Sequence, residues 1–169
     1  MELPLEFIMP LREELLVKYA RHQKWRSVSR TLIIVGILYL LYLLTNVNEI
    51  LADGTAALLT YLLPIVLVLG FYAALLYWRI GVAAQKQYRA HPSIGAVRAY
   101  TLTRESLGYA SEMSNAEMNW RLFTHAEVTK DWIALHQPGG PVLILDSEEL
   151  EVERLTAVKE LLLEKELIG

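Results

Sequence analysis

Four histidines, His22, His91, His125 and His136, are the first residues in this sequence whose type invites chemistry. None stands at i, i+4 from a second ligand on a helix, and no HExxH occurs. His125 and His136 fall in neighbouring stretches of strand character, with Glu127 two residues after His125. Two imidazoles and a carboxylate are a donor set that zinc accepts. The competing reading is three solvent-facing strand residues, the default for polar side chains on a half-buried sheet. The chain has no cysteine, which excludes disulfides, thiolate metal sites and a cysteine nucleophile. It has no GxGxxG, no phosphate-binding GxxxxGK(S/T) and no GxSxG elbow. Nothing here points to an enzyme, a resident metal or a cofactor. Glu148, Glu149, Glu151 and Glu153 form an acidic run that reads as a helix start, where the helix dipole favours negative charge.

The elements that must position these residues are of two kinds. Residues 31–48 and 54–78 contain no charged side chain. A bilayer core of about 30 Å needs about 20 apolar residues in a helix. Soluble core helices keep a polar face and these runs have none, so they predict two membrane spans, over about 31–48 and 56–78. About thirty residues rich in charge precede the first run, so a cleaved signal peptide is not expected. Arg21, Lys24, Arg26 and Arg30 stand before the first span, and Arg79, Lys86 and Arg89 follow the second. The connecting loop carries Glu49 and Asp53 and no basic residue. Basic flanks stay on the cytoplasmic side, so both ends of the chain are expected inside. Trp25, Arg26, Arg30, Trp78, Arg79 and Arg89 are the residues expected to meet lipid headgroups at that boundary. Neither span carries an ionisable Asp, Glu, Lys, Arg or His, which argues against a proton or ion transporter. Tyr39 and Tyr42 are placed to hydrogen-bond across to the second span. Pro64 lies within that span, and Gly70 with Ala74 allows close helix approach.

The N-terminal region, 1–30, reads as an extended stretch and then a helix. No Gly or Pro interrupts residues 11–35, which favours one helix running into the first span. Residues 79–92 form a connector that Pro92 ends. From 93 the period changes from helical to alternating. Short segments, among them "AVRAYTLT", "SLGYASE", "EMNWRLF", "AEVTKD", "WIALHQ" and "PVLILD", are separated by turn residues and predict an antiparallel meander. In "WRLFTHAEV", Leu122, Thr124, Ala126 and Val128 alternate with Phe123, His125 and Glu127. Trp120 and Trp132 are expected in the core of this sheet. If either is exposed, it is the strongest candidate for a protein-binding hot spot. Asp146 or Ser147 is placed to cap a last amphipathic helix with Leu150, Leu155, Val158, Leu161 and Leu162 on one face. The whole is an α+β membrane protein: a transmembrane helical hairpin (31–78), then a β-meander closed by a C-terminal helix (93–169).

Residues 1–90 carry nine basic and six acidic side chains; residues 91–169 carry seven basic and thirteen acidic. The acidic second half is a poor match to nucleic acid, so no nucleic-acid partner is expected.

The order of these features, with the "HPSIG" connector and "YTLTRESLGYAS" leading to "MNWRLFTHAEVTKDWIALH", resembles the YcxB-like membrane proteins of bacteria. The segment "LILDSEEL" departs from the Pro-basic-aromatic motif that relatives often show before the last helix. The resemblance implies a cytoplasmic pleckstrin-homology-like (PH-like) module on a two-span hairpin in the bacterial inner membrane. It implies no established activity. The expected function is therefore non-enzymatic: a module that binds a protein partner, or a homo-oligomer built through the hairpin. The alternative is an immunity or regulatory protein that neutralises a membrane-targeted toxin or partner. Lipid sensing by an acidic module is the weaker analogy.

Overall fold

The computed structural model describes residues 3–47, 55–91, 93–112 and 114–168, and within these the side chains of all but 55–59. The chain divides into two compact units. One combines Met1–Leu16 with Lys86–Gly169, and the other is Val17–Gln85. The second unit is made from two long helices, α1 (Glu13–Thr45) and α2 (Thr55–Ala90). The N-terminal helix does run into the first apolar run without a break, and Pro64 lies inside α2 without ending it. Tyr39 Oη donates to the Tyr61 carbonyl at 2.7 Å, and the rings of Trp25 and Tyr77 meet edge-on at 5.9 Å. Those pairs make the helices antiparallel neighbours. Across the most apolar 18-residue stretch of each helix no residue is buried. The expected loop with Glu49 and Asp53, and Pro92, lie outside the described residues.

The other unit is α+β, with seven strands in two antiparallel sheets among the described residues. The first sheet has the order β1 (Leu5–Met9), β2 (Arg98–Leu102), β3 (Ser106–Ala110), β4 (Asn115–Asn119). The second has the order β5 (His125–Val128), β6 (Trp132–His136), β7 (Leu143–Asp146). The helix α3 (Val152–Glu164) follows. The N-terminal strand therefore joins the C-terminal sheet, in register from Leu5 opposite Leu102 to Met9 opposite Arg98. Three turns share one device, a Ser or Thr that closes the loop with its backbone and hydroxyl. Thr103 bonds Ser106, Ser111 bonds Ser114, and Thr129 bonds Trp132. The turn between β6 and β7 has Gly139 at φ 68°, the left-handed region glycine tolerates.

A single core joins both sheets and α3. It holds Phe7 and Met9, Tyr100 and Leu102, Leu107, Ile133 and Leu135, Leu143 and Leu145, with Val158, Leu161 and Leu162 from the helix. Phe7 stacks on Tyr100 at 5.4 Å. After α3 the backbone turns at Glu166 (φ 57°), the Leu167 N–H bonds the Leu162 carbonyl, and the Leu167 carbonyl accepts from Ala126. That is the hydrogen-bond pattern of a Schellman ending, and it ties the chain end to β5.

Two local expectations change. Strand β4 stops at Asn119, and Trp120–Leu122 is a single 3-10 turn capped by the Asn119 side chain. The alternation read through 122–128 therefore holds only over β5; Phe123 turns inward with Ala126, and Leu122 is left exposed. Asp146 and Ser147 do not cap the last helix. Asp146 ends β7, the helix starts at Val152, and its N-cap Glu151 makes no side-chain capping bond. The chain needs Asp146 elsewhere.

Candidate functional site

Asp146 is the most deeply buried charged residue among those described, with no exposed side-chain surface. Burying a carboxylate costs several kcal/mol unless donors surround it. Arg12, one residue before α1, supplies them. Its Nε donates to Asp146 Oδ2 at 2.6 Å and its Nη2 to Asp146 Oδ1 at 2.9 Å. Nη2 also donates to Glu148 Oε2 at 2.7 Å, and Glu149 Oε1 lies 3.8 Å from Nε. The Glu148 N–H donates to Asp146 Oδ1 at 3.0 Å. The planar fork of guanidinium matches a carboxylate in a way that an ammonium does not. The bond to Asp146, then that to Glu148, raises the Arg12 pKa further above its already high value, so the cation never titrates. Glu148 and Glu149 thus serve a clamp in the segment before α3 rather than the start of a helix. The sequence holds the parts in plain sight: an Arg two residues after Pro10, and Asp146, Glu148 and Glu149 at and just after the end of an apolar strand. Nothing in it linked positions 134 residues apart.

The histidine pair comes together as a stack. His125 and His136 are directly opposite in the β5–β6 register, with ring centroids 4.2 Å apart and planes 6° from parallel. Glu127 Oε2 is 4.0 Å from His136 Nε2. Imidazole lone pairs lie in the ring plane, and zinc sits about 2.0–2.1 Å from each nitrogen. Near-parallel planes at this spacing do not converge on one ion, and no three His, Cys, Asp or Glu among the described residues are grouped to hold a metal. Burial, with a smaller contribution from His125, lowers the His136 pKa below its ordinary value, against the pull of Glu127.

The six boundary residues lie on the long helices: Trp25, Arg26 and Arg30 on α1, and Trp78, Arg79 and Arg89 on α2, all exposed. Trp78 is 61% exposed and Trp25 39%. Arg89 donates to Glu13 at 3.1 Å. The structure adds a contact that the sequence did not suggest. The Arg21 guanidinium lies over the Tyr77 ring at 4.3 Å, a cation–π geometry. A Cβ at Gly81 would come within 2.5 Å of Arg21 Nη2, so the glycine makes room for that arginine. Of the two inner tyrosines, Tyr39 makes the cross-helix bond, and Tyr42 packs its ring against Tyr39 at 5.9 Å.

Trp120 and Trp132 are 4% and 5% exposed, so neither offers a face to a partner. The Trp120 indole N–H donates to the Thr103 carbonyl at 2.9 Å, joining the 3-10 turn to the β2–β3 turn. The apolar side chains that this unit does present to solvent are smaller: Ile8, Val97, Leu122, Val152 and Leu163.

Arg12→Ala is expected to destabilise the protein by about 2–4 kcal/mol, less than a fully buried pair because the guanidinium is itself partly exposed. Arg12→Lys should fall between, keeping charge without the fork. Arg12→Met with Asp146→Leu should recover most of the loss, since it leaves no buried charge. Denaturant unfolding in detergent measures all three. A loss below about 1 kcal/mol in Arg12→Ala would reduce the clamp to an ordinary surface pair.

His136 gives a second test. Above the ordinary imidazole value of about 6.5 it is neutral in both states and contributes no pH dependence. Below it the unfolded chain binds a proton that the folded chain refuses, so stability falls as pH falls toward the lowered folded value. The unfolding midpoint should drop less in His136→Gln than in the wild type between about pH 7.5 and about pH 5.5. An equal drop in both would assign the acid sensitivity to other groups.

No family model matches the chain, and neither the curated proteins nor the solved structures contain a match to it.

Proposed function

We propose that this chain is a non-enzymatic integral membrane protein that holds a protein-binding module at the cytoplasmic face of a bacterial inner membrane. The observation that carries the reading is the pairing of β1 with β2. One strand precedes both long helices and its neighbour follows them. A chain that leaves a sheet, runs through two helices and returns to the adjacent strand must begin and end on one side of any membrane it enters. Two crossings satisfy that requirement. The unburied apolar surface of α1 and α2 supports lipid as their surroundings, because water would be costly against so much of it. The basic flanks of both helices support the cytoplasmic side for the sheets.

Two antiparallel sheets of four and three strands, with one closing helix on a shared core, support a PH-like reading of the module. They also agree with the resemblance to YcxB-like proteins. Fold alone assigns no ligand. The protein-binding role rests on the exposed apolar residues of the module.

Because the chain has no cysteine, single-cysteine labelling maps its topology without background. In intact cells a membrane-impermeant maleimide should label Val47→Cys, at the far end of α1. It should label Glu6→Cys and Glu160→Cys only after lysis. Labelling of all three in intact cells, or of none until lysis, would overturn the hairpin.

Photo-crosslinkers at Leu122 and Val152 of the full chain test the partner. One specific protein trapped from those positions, and not from Leu67 on α2, is the expected result. A membrane-targeted toxin among the products would specialise the role to immunity. Trapping only copies of the same chain, and only from Leu67, would move the interface to the helices and defeat the module reading.

A further inference from the structure

Residues 91–169 carry only seven basic side chains against thirteen acidic ones. Three of the seven, Arg104, Arg121 and Lys165, line one pocket of about 400 Å³ together with Glu105, Asn119 and Trp120. On this surface Arg154 pairs with Glu151 at 3.5 Å. Arg104 and Arg121 have no such partner among the described residues. Lys165 has only its sequence neighbour Glu164, at 3.5 Å. The Asn119 carbonyl oxygen accepts the Arg121 N–H at 3.0 Å, which leaves its NH2 end as a donor.

The floor of the pocket is pre-built. Trp120 is buried and its indole N–H is fixed to the Thr103 carbonyl, while its backbone N–H bonds the Glu105 carbonyl at 3.3 Å. Thr103 in turn closes the β2–β3 turn that carries Arg104. Three elements, the β2–β3 turn, the 3-10 turn and the end of α3, thus bring their cations to one concavity whose backbone is already ordered. Guanidinium forks without carboxylates are suited to oxyanions, and most of all to a phosphoryl group with two charges and several acceptor oxygens. A pre-ordered floor lowers the entropy cost of capture.

We propose that this pocket binds a phosphoryl oxyanion through Arg104, Arg121 and Lys165, with the Asn119 amide as a further donor and Glu105 as the one acidic side chain among the lining residues. The proposal does not depend on the partner reading above. A soluble phosphate compound and a lipid headgroup offer the same chemistry, so the test separates them.

The full chain is placed in phosphatidylcholine nanodiscs and the Trp120 indole N–H resonance is followed. Sodium pyrophosphate is titrated at constant ionic strength against sodium chloride. A parallel sample replaces part of the lipid with phosphatidic acid. A saturable shift with pyrophosphate but none with phosphatidic acid assigns a soluble ligand; a shift produced by phosphatidic acid assigns a headgroup. In both cases Arg104→Gln with Arg121→Gln should weaken the response about tenfold or more. Arg154→Gln, an exposed cation outside the pocket, should leave it unchanged. No saturable shift from either source overturns the proposal. So does a response that Arg154→Gln reduces as much as the double variant does, since that is charge screening over the whole surface. The thermal midpoint of each variant is read alongside, and the wild-type titration decides binding whatever the variants' stability.

Discussion

The pairing of Leu5–Met9 with Arg98–Leu102 is the constraint from which the rest of this architecture follows. It makes one sheet from the two ends of a long insertion. Closing a flexible loop of that length costs entropy that rises with the logarithm of its length. Here the insertion is no flexible loop. Tyr39 bonds Tyr61 and Trp25 meets Tyr77, so the two helices run antiparallel and carry the chain back toward where it left. Glu13 and Arg89 are bonded at 3.1 Å, at the start of one helix and the end of the other. The strand pairing is thus between segments that the helices already return to one neighbourhood. Phe7 and Met9 then enter the core beside Tyr100 and Leu102, which fixes the register, because a slip of one residue would expose both.

Arg12 extends this logic from hydrogen bonds to charge. A carboxylate with no exposed surface at the end of β7 would be a poor choice in an apolar sheet. It becomes tolerable because the residue just before α1 delivers a bidentate partner. The energy of such a pair is small or even unfavourable beside an apolar replacement, so what the pair adds is geometry rather than net stability. The observed placement of the N-terminal segment satisfies Asp146 through Arg12, three residues after β1 ends.

What the sequence revealed, and what it hid, divides by the range of the interaction. Charge-free runs and alternating apolar residues are local signals, and they placed two long helices, the strand stretches and the apolar face of the last helix. The α+β order was legible for the same reason. Long-range partnership was not. The alternation in "LEFIM" allows a strand but names no neighbour, and nothing local to Arg12 names Asp146. The capping pattern around Asp146 misled, because the same Asp-x-x-Glu spacing that starts a helix here places a carboxylate at a strand end. Phe123 leaves the face of His125 and Glu127 because Asn119 caps a 3-10 turn, and a three-residue turn shifts a period of two. The oxyanion pocket escaped notice for a related reason. Arg104, Arg121 and Lys165 are isolated in sequence, and only the sheet and helix ends bring them to one concavity.

An inserted hairpin differs in consequence from an appended one. An appended anchor holds its domain by one strand of chain, which leaves it free to swivel. Here the module is joined to the helices at two points, after β1 and before β2. In the proposed membrane setting, confinement to a thin layer would add a gain in effective concentration. The second half of the chain is net acidic, and an anionic cytoplasmic leaflet repels such a surface, while the arginines flanking the helices are attracted to it. A module built only to lie flat on lipid would show the opposite distribution, with its cations spread over one broad face. This one gathers three of its few cations into a single pocket, the arrangement of a surface that selects one ligand group rather than a plane of charge.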